Sequence, residues 1–363
     1  MMKNSLILIS LLELSINAYE INHDGYIRAG FQHQNEGEFA IGGKLHTKIK
    51  PRSDLAFGAS FYTTQGINKK YNDGVTFFNS SAKSYSLLGE AYIKGNFRDT
   101  TLTIGRQEID TPYADTDDIG MIPNSFEAIT LSNSSFKGTT IFAGYLKKMS
   151  GVDSEIPEKF NDIGKVFTVG VSYDKFEDID LSAWYYDVNN LAKISYVEAG
   201  YEKKFADFDF DFDFQYSNQD FNHEGEVDIY GASLGVEKSE ITLSIAYDKA
   251  NSTDGQVADN FFGGGPFFIN CEHDTMVEVG ANGEAYRYGL EFDVSKFGVS
   301  GLELGISYLD AKGDDSDINE VDFVANFQVS DNLTFDFIYS DATDNMDSRE
   351  SFKNTRAFAN YRF

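Results

Sequence analysis

The chain has 363 residues, 58 acids against 30 bases for a formal net charge of −28, 15% aromatic residues and one Cys. The negative charge argues against a nucleic-acid partner, and a single Cys excludes a disulfide framework or a Cys-rich metal site. No apolar run approaches the roughly 20 residues of a spanning helix, yet the Phe and Tyr content far exceeds that of an ordinary acidic soluble domain.

Residues 1–18 read as a secretory signal peptide. Lys3 starts it, Ser5–Leu12 is its apolar stretch and Ala18 is the small residue before the cut. Residues 19–363 are then one mature domain that leaves the cytoplasm.

From Gly25 onward the pattern has period two. Phe208, Phe210, Phe212, Phe214 and Tyr216 alternate with Asp209, Asp211, Asp213 and Gln215, and Leu302, Leu304, Ile306 and Tyr308 alternate with Glu303, Gly305 and Ser307. Side chains in a strand point to opposite faces in turn, so each run has one apolar and one mostly polar face. Such runs fall near 25–34, 38–49, 54–66, 83–96, 100–109, 124–136, 138–148, 164–175, 178–187, 192–205, 207–217, 226–237, 239–249, 284–295, 301–310, 318–329, 332–341 and 353–363. Each is about the 9–11 residues or more that a tilted strand needs to cross a bilayer.

The links alternate in length. Tight turns follow every second strand, as at 51–53, 98–99, 206 and 330–331. The intervening links are mostly long, as at 67–82, 110–123, 149–163, 218–225, 250–283, 311–317 and 342–352; those near 35–37 and 188–191 are short. Pro51, Pro112, Pro123, Pro157 and Pro266 are all placed in turns or loops, because proline removes a ladder donor. The chain ends on Phe363, after Thr355, Ala357, Ala359 and Tyr361 on the same face.

This pattern predicts an all-β protein: an 18-stranded antiparallel up-and-down transmembrane β-barrel of a Gram-negative outer membrane. Outward residues are apolar because they meet lipid, and inward residues are polar because they meet water. A barrel of about 16–18 strands leaves an aqueous channel, so the expected function is passive diffusion.

Gly105–Pro112 (GRQEIDTP) followed by Asp117–Glu127 (DDIGMIPNSFE) resembles the OprD family of porins, and is most similar to the OprD-like porins of Campylobacterota. Ala183–Asp187 (AWYYD), Tyr196–Tyr201 (YVEAGY) and Gly263–Phe268 with Glu272–His273 extend the resemblance over most of the mature chain. Where the family usually carries a basic residue before Met121, this chain has Gly120. The resemblance implies an 18-stranded barrel, diffusion of small hydrophilic solutes, and an inward-folded constriction loop at 110–123. Separately, a terminal Phe363 preceded by alternating small or aromatic residues resembles the C-terminal signature that the outer-membrane barrel assembly machinery reads.

Strand parity predicts a lopsided lumen. Arg28, Lys44, Lys48, Lys94, Arg356 and Arg362 form a basic wall, since the last strand closes on the first. Asp180, Glu198, Glu202, Asp209, Asp211 and Asp213 form an acidic wall opposite. Asp110, Asp115, Asp117 and Asp118 lie in the candidate constriction loop. Facing walls of opposite sign set up a transverse field, and the overall acidity predicts modest cation selectivity. Trp184 and Tyr186 share the parity of Asp180 and are lumen candidates. One conflict stands out: Leu102 and Ile104 share parity with Arg106 and Glu108, so a bulge or the membrane edge must intervene.

No cofactor is expected. Asp314–Asp317 and Asp344–Asp347 have oxygen-rich spacing suited to Ca²⁺, but neither has the full spacing with a terminal Glu, and both read as solvated acidic loops. The His residues form no ligand pair, and no nucleophile motif is present, so no enzyme is expected. The competing reading is an adhesin or surface-structural barrel that uses loops 67–82, 149–163 and 250–283. The expected partners are outer-membrane lipid and small solutes; monomer and homotrimer both remain open.

Overall fold

The alternating runs form eighteen strands in a computed structural model that describes residues 20–34, 37–68, 77–79, 81–117, 119–222, 224–346 and 350–363. The candidate signal peptide and Asp118 lie outside the described residues. The strands are β1 (Glu20–His33), β2 (Gly37–Arg52), β3 (Leu55–Asn68), β4 (Tyr85–Phe97), β5 (Thr100–Gln107) and β6 (Ser125–Phe136). Next come β7 (Thr139–Ser150), β8 (Asn161–Phe176), β9 (Ile179–Val188), β10 (Ala192–Phe205), β11 (Phe208–Phe221) and β12 (Gly225–Lys238). The last six are β13 (Ile241–Ser252), β14 (Glu284–Asp293), β15 (Leu302–Lys312), β16 (Asp317–Ser330), β17 (Leu333–Asp344) and β18 (Phe352–Arg362). Each pairs antiparallel with its sequence neighbours. β18 pairs with β1 from Tyr26↔Arg362 to His33↔Thr355, so the sheet closes and no edge remains.

Burial is inside out. Ile41, Leu45, Phe57, Ile93, Leu243, Leu290 and Ile306 are exposed, whereas Arg28, Thr64, Glu90, Gln215, Asp248, Glu320 and Arg356 are buried. In water each exposed large apolar side chain would forgo roughly 1.5–3 kcal/mol of burial; against hydrocarbon that penalty vanishes, which is why this face must meet lipid. Leu243, Leu290 and Ile306 are register partners on three adjacent strands of the outer face. Leu290→Arg should therefore destabilise the barrel by about 2–4 kcal/mol if this row lies at the bilayer midplane. Its lumen-facing neighbour changed as Glu291→Gln should shift stability by less than about 0.5 kcal/mol. Denaturant titration of refolded barrels in lipid vesicles measures both.

Two local expectations are corrected or resolved. Pro51 is not in a turn but in the last two residues of β2. It sits inside a register irregularity between Ile49 and Arg52, where a missing N–H removes no ladder bond. The parity conflict on β5 is resolved without a bulge in its pairing with β6. Arg106 faces outward with Leu102 and Ile104, lies 3.9 Å from Glu127 and stacks 4.2 Å from the Phe160 ring, while the strand ends at Gln107 and Glu108 turns inward. The membrane edge explains the charge there, not a change of face.

Candidate pore constriction

Connection 108–124 folds into the barrel and meets its wall in three places. At its start Glu108 accepts from Lys44 Nζ (2.7 Å) and from the Tyr62 hydroxyl (2.5 Å), and Lys44 also lies 3.0 Å from Glu90. Farther on, Tyr113 is fully buried against β9–β11. Its ring packs edge-on to Tyr186 and Tyr196, and its hydroxyl shares a hydrogen bond with Ser217 (2.5 Å) and accepts one from Gln219 (3.2 Å). The chain then reaches the β18–β1 seam. Arg356 donates to the Ile119 carbonyl (2.9 Å), Arg28 donates to the Gly120 carbonyl, and the Tyr26 hydroxyl donates to the Met121 carbonyl (3.4 Å). Gly120, where the family pattern favours a base, thus supplies a backbone oxygen to a base from the wall. A strand-to-strand link that touches both β9–β11 and β18–β1 spans the lumen.

A second inward connection, 253–283, was not foreseen as such. Backbone donors from Ile269, His273 and Asp274 run to wall carboxylates: Ile269 N–H to Asp248 (2.9 Å), and the other two to the two oxygens of Glu320 (2.9 and 2.8 Å). Glu272 pairs with Arg356. The two connections join where Asp115 N–H donates to the Phe262 carbonyl (3.1 Å) and Phe262 N–H donates to Tyr113 (3.3 Å). Phe267, Ile269, Met276 and Val279 pack on inward residues of the loop-side strand ends, including Ile194, Val227, Ile229 and Leu309. The loop-side half of the lumen therefore holds an apolar core, because backbone folded into a barrel needs side chains to bury against. Polar side chains there serve mainly to anchor the inward loops, and the base-free acidic hollow lies on the turn side.

All the predicted wall residues take the inward register. On the basic wall three are already engaged: Arg28 and Arg356 on loop carbonyls, Lys44 on two glutamates. Lys48, Lys94 and Arg362 carry no ion pair among the described residues. On the opposite wall Asp180, Glu198, Glu202, Asp211 and Asp213 line one hollow together with Asp174 and no base. Asp209 pairs with Lys204 at 2.9 Å, and Asp213 accepts from Ser233 (2.8 Å). Trp184 and Tyr186 face inward, stacked with ring centroids 6.3 Å apart. Of the loop acids, Asp110 is exposed and Asp117 half-buried. Asp115 is half-buried at the joint of the two connections; burial pushes its carboxyl up to about 6, while hydrogen bonding from the Asp117 backbone opposes the shift. Burial likewise raises the Glu272 carboxyl, against the pull of Arg356.

Glu90, Glu108, Asp248, Glu272, Glu320 and Asp322 were missed as functional residues. For the strand residues parity was a usable signal: Glu320 and Asp322 share one face of β16. Their partners were not readable, since they lie on a distant loop. The candidate Ca²⁺ positions spend their oxygens locally. Asp314 accepts from Asn282 (2.7 Å), and Asp344 accepts from the N–H groups of Asp317 and Met346; Asp347 lies outside the described residues.

A closed barrel with an apolar exterior, a charged lumen and a strap across it defines an outer-membrane porin. The model of the outer membrane porin OprD family matches residues 64–355. The chain belongs to that family. The structure superposes on OccAB4 of Acinetobacter baumannii with a TM-score of 0.82 at 16% identity, covering 96% of this chain and 99% of that one. It also matches OpdK of Pseudomonas aeruginosa, solved with vanillate, with a TM-score of 0.81 at 13% identity, over 95% and 99% of the two chains. OprD of the same organism gives a TM-score of 0.79 at 14% identity, over 95% and 96%. No curated protein is matched by sequence.

Proposed function

We propose that this porin is a passive, modestly cation-selective channel for small hydrophilic solutes and ions. The observation that carries the reading is the asymmetry of the lumen. Five predicted acids and Asp174 line one hollow without a base, whereas half of the opposing basic wall is spent on loop carbonyls and glutamates. Only charges within about a Debye length of 8–10 Å act on a passing ion, so the lining matters more than the total of −28. Reversal potentials across a planar bilayer in a KCl gradient test it: the expected sign is that of K⁺ preference, and a Cl⁻ preference would overturn the reading.

Asp115 adds a pH dependence. Its carboxyl is charged above about pH 6 and neutral below, so its share of the cation preference is present at pH 7 and lost as pH falls through 6. Asp115→Asn should remove the step near 6 in the permeability ratio. Neutralising Asp115, Asp117 and Asp118 together should lower cation preference further.

The inward course of 253–283 supports a channel over an adhesin, which would present that loop to the exterior. The Phe363 N–H hydrogen-bonds the Gly25 carbonyl at the turn-side rim, and its ring stays exposed. We take Phe363 to be the residue that the assembly machinery reads before the strand is sealed against β1.

A further inference from the structure

We propose that Arg356 acts as a positioning residue that ties both inward connections to the wall and so keeps the pore in one open geometry, rather than as an ion-selecting charge. This rests on the channel reading above. Arg356 lies on β18, and its side chain is 5% exposed. One terminal nitrogen donates to the Ile119 carbonyl of the 108–124 strap (2.9 Å) and the other to the Glu272 carboxylate of 253–283. A planar guanidinium offers donors in a fixed fork, so one side chain can hold two segments at a set angle, which a freely rotating ammonium does not impose.

The surrounding contacts show what the tie controls. Glu272 N–H donates to Asp322 (3.3 Å), next to the Glu320 anchor that receives His273 and Asp274. Arg28 grips Gly120 one residue beyond Ile119 and also donates to Asn360 (2.5 Å) on the same strand as Arg356. Met121 packs with Phe77 and Phe358 beside it. The strap thus has packing and a second base to keep it folded without Arg356. The link between its far end and loop 253–283 runs through Arg356 and Glu272. Because the pair is internally neutral, with the Arg356 side chain buried and only the Glu272 end reaching solvent, it adds little net field to the passing ion.

The test separates tether from charge. In the double variant Arg356→Gln with Glu272→Gln, one neutral pair replaces another, so the lumen keeps its net charge while the ion pair and one fork are lost. Single-channel recording of the full-length protein should show at least tenfold more transitions between conductance levels than wild type, with the K⁺/Cl⁻ permeability ratio within twofold. Lys48→Gln, which removes an unpaired lumen base, should do the reverse: quiet current and a raised ratio. Heat-modifiable gel mobility confirms folding. If the double variant fails to fold, Glu272→Gln alone weakens only the arm to 253–283 and should show the same excess of transitions. Quiet single-level current from a folded variant would overturn the tie. A wild-type protein with no conductance would instead sink the channel reading.

Discussion

Tyr113→Ala should raise single-channel conductance severalfold and make it noisy. Tyr113 is the anchor of the strap on the side opposite the β18–β1 seam. Its ring is fully buried, with Tyr186, Tyr196, Phe261 and Phe267 at centroid distances of 5.7, 6.0, 5.7 and 6.2 Å. Truncating a buried aromatic costs about 3–5 kcal/mol, and little of that falls on the strand ladder, which is held by backbone pairing around a closed sheet. The loss falls on the strap and on its junction with Phe262. The strap should leave β9–β11 and the aperture should widen. Tyr113→Phe keeps the packing and loses only the hydroxyl contacts with Ser217 and Gln219, at about 1 kcal/mol, so its conductance should stay close to wild type. Planar-bilayer recording of the two variants distinguishes the outcomes; a Tyr113→Ala channel of unchanged conductance would remove this residue from control of the aperture.

Neutralising Asp180, Glu202, Asp211 and Asp213 as the corresponding amides should bring the K⁺/Cl⁻ permeability ratio to about unity or below. These four carboxylates sit in one hollow on the turn-side half of β9–β11. Opposite them Lys48, Lys94 and Arg362 remain, and with the acids gone those bases dominate the local potential. Charges farther away than a screening length contribute little, so replacing Asp314 and Asp315 in an outer loop with Asn should leave the ratio unchanged. Reversal potentials at equal pH and ionic strength compare the two sets. A ratio unaffected by the four lumen changes would mean that ions are selected elsewhere, with the loop acids next in line.

Both predictions depend on features of unequal legibility. The acidic wall was readable from local sequence, because Asp209, Asp211 and Asp213 alternate with Phe208, Phe210 and Phe212, and a period of two leaves only one consistent assignment of faces. The Tyr113 anchor was not. It belongs to a connection without periodicity, and its partners lie on strands some 70 to 100 residues away, at Tyr186 and Ser217. The inner apolar core shows an intermediate case. On β10 the inward series Ala192, Ile194, Tyr196, Glu198, Gly200, Glu202 changes from apolar to acidic along one face. That change is visible in the sequence, but its meaning appears only once loop 253–283 is found inside.

By itself the sequence determined the strand count, the alternation of turns and loops, the lipid face and the sign of each wall. These follow from interactions between near neighbours along the chain: the pleat sends successive side chains to opposite faces, and proline, glycine and charge mark the ends. The tertiary structure decided which charges remain available. Lys44 is spent on Glu90 and Glu108, Arg28 on Gly120 and Arg356 on Ile119 and Glu272, all partners brought together by barrel closure and loop descent. A charge acts on solute only through what its neighbours leave unneutralised, and those neighbours are set by the fold.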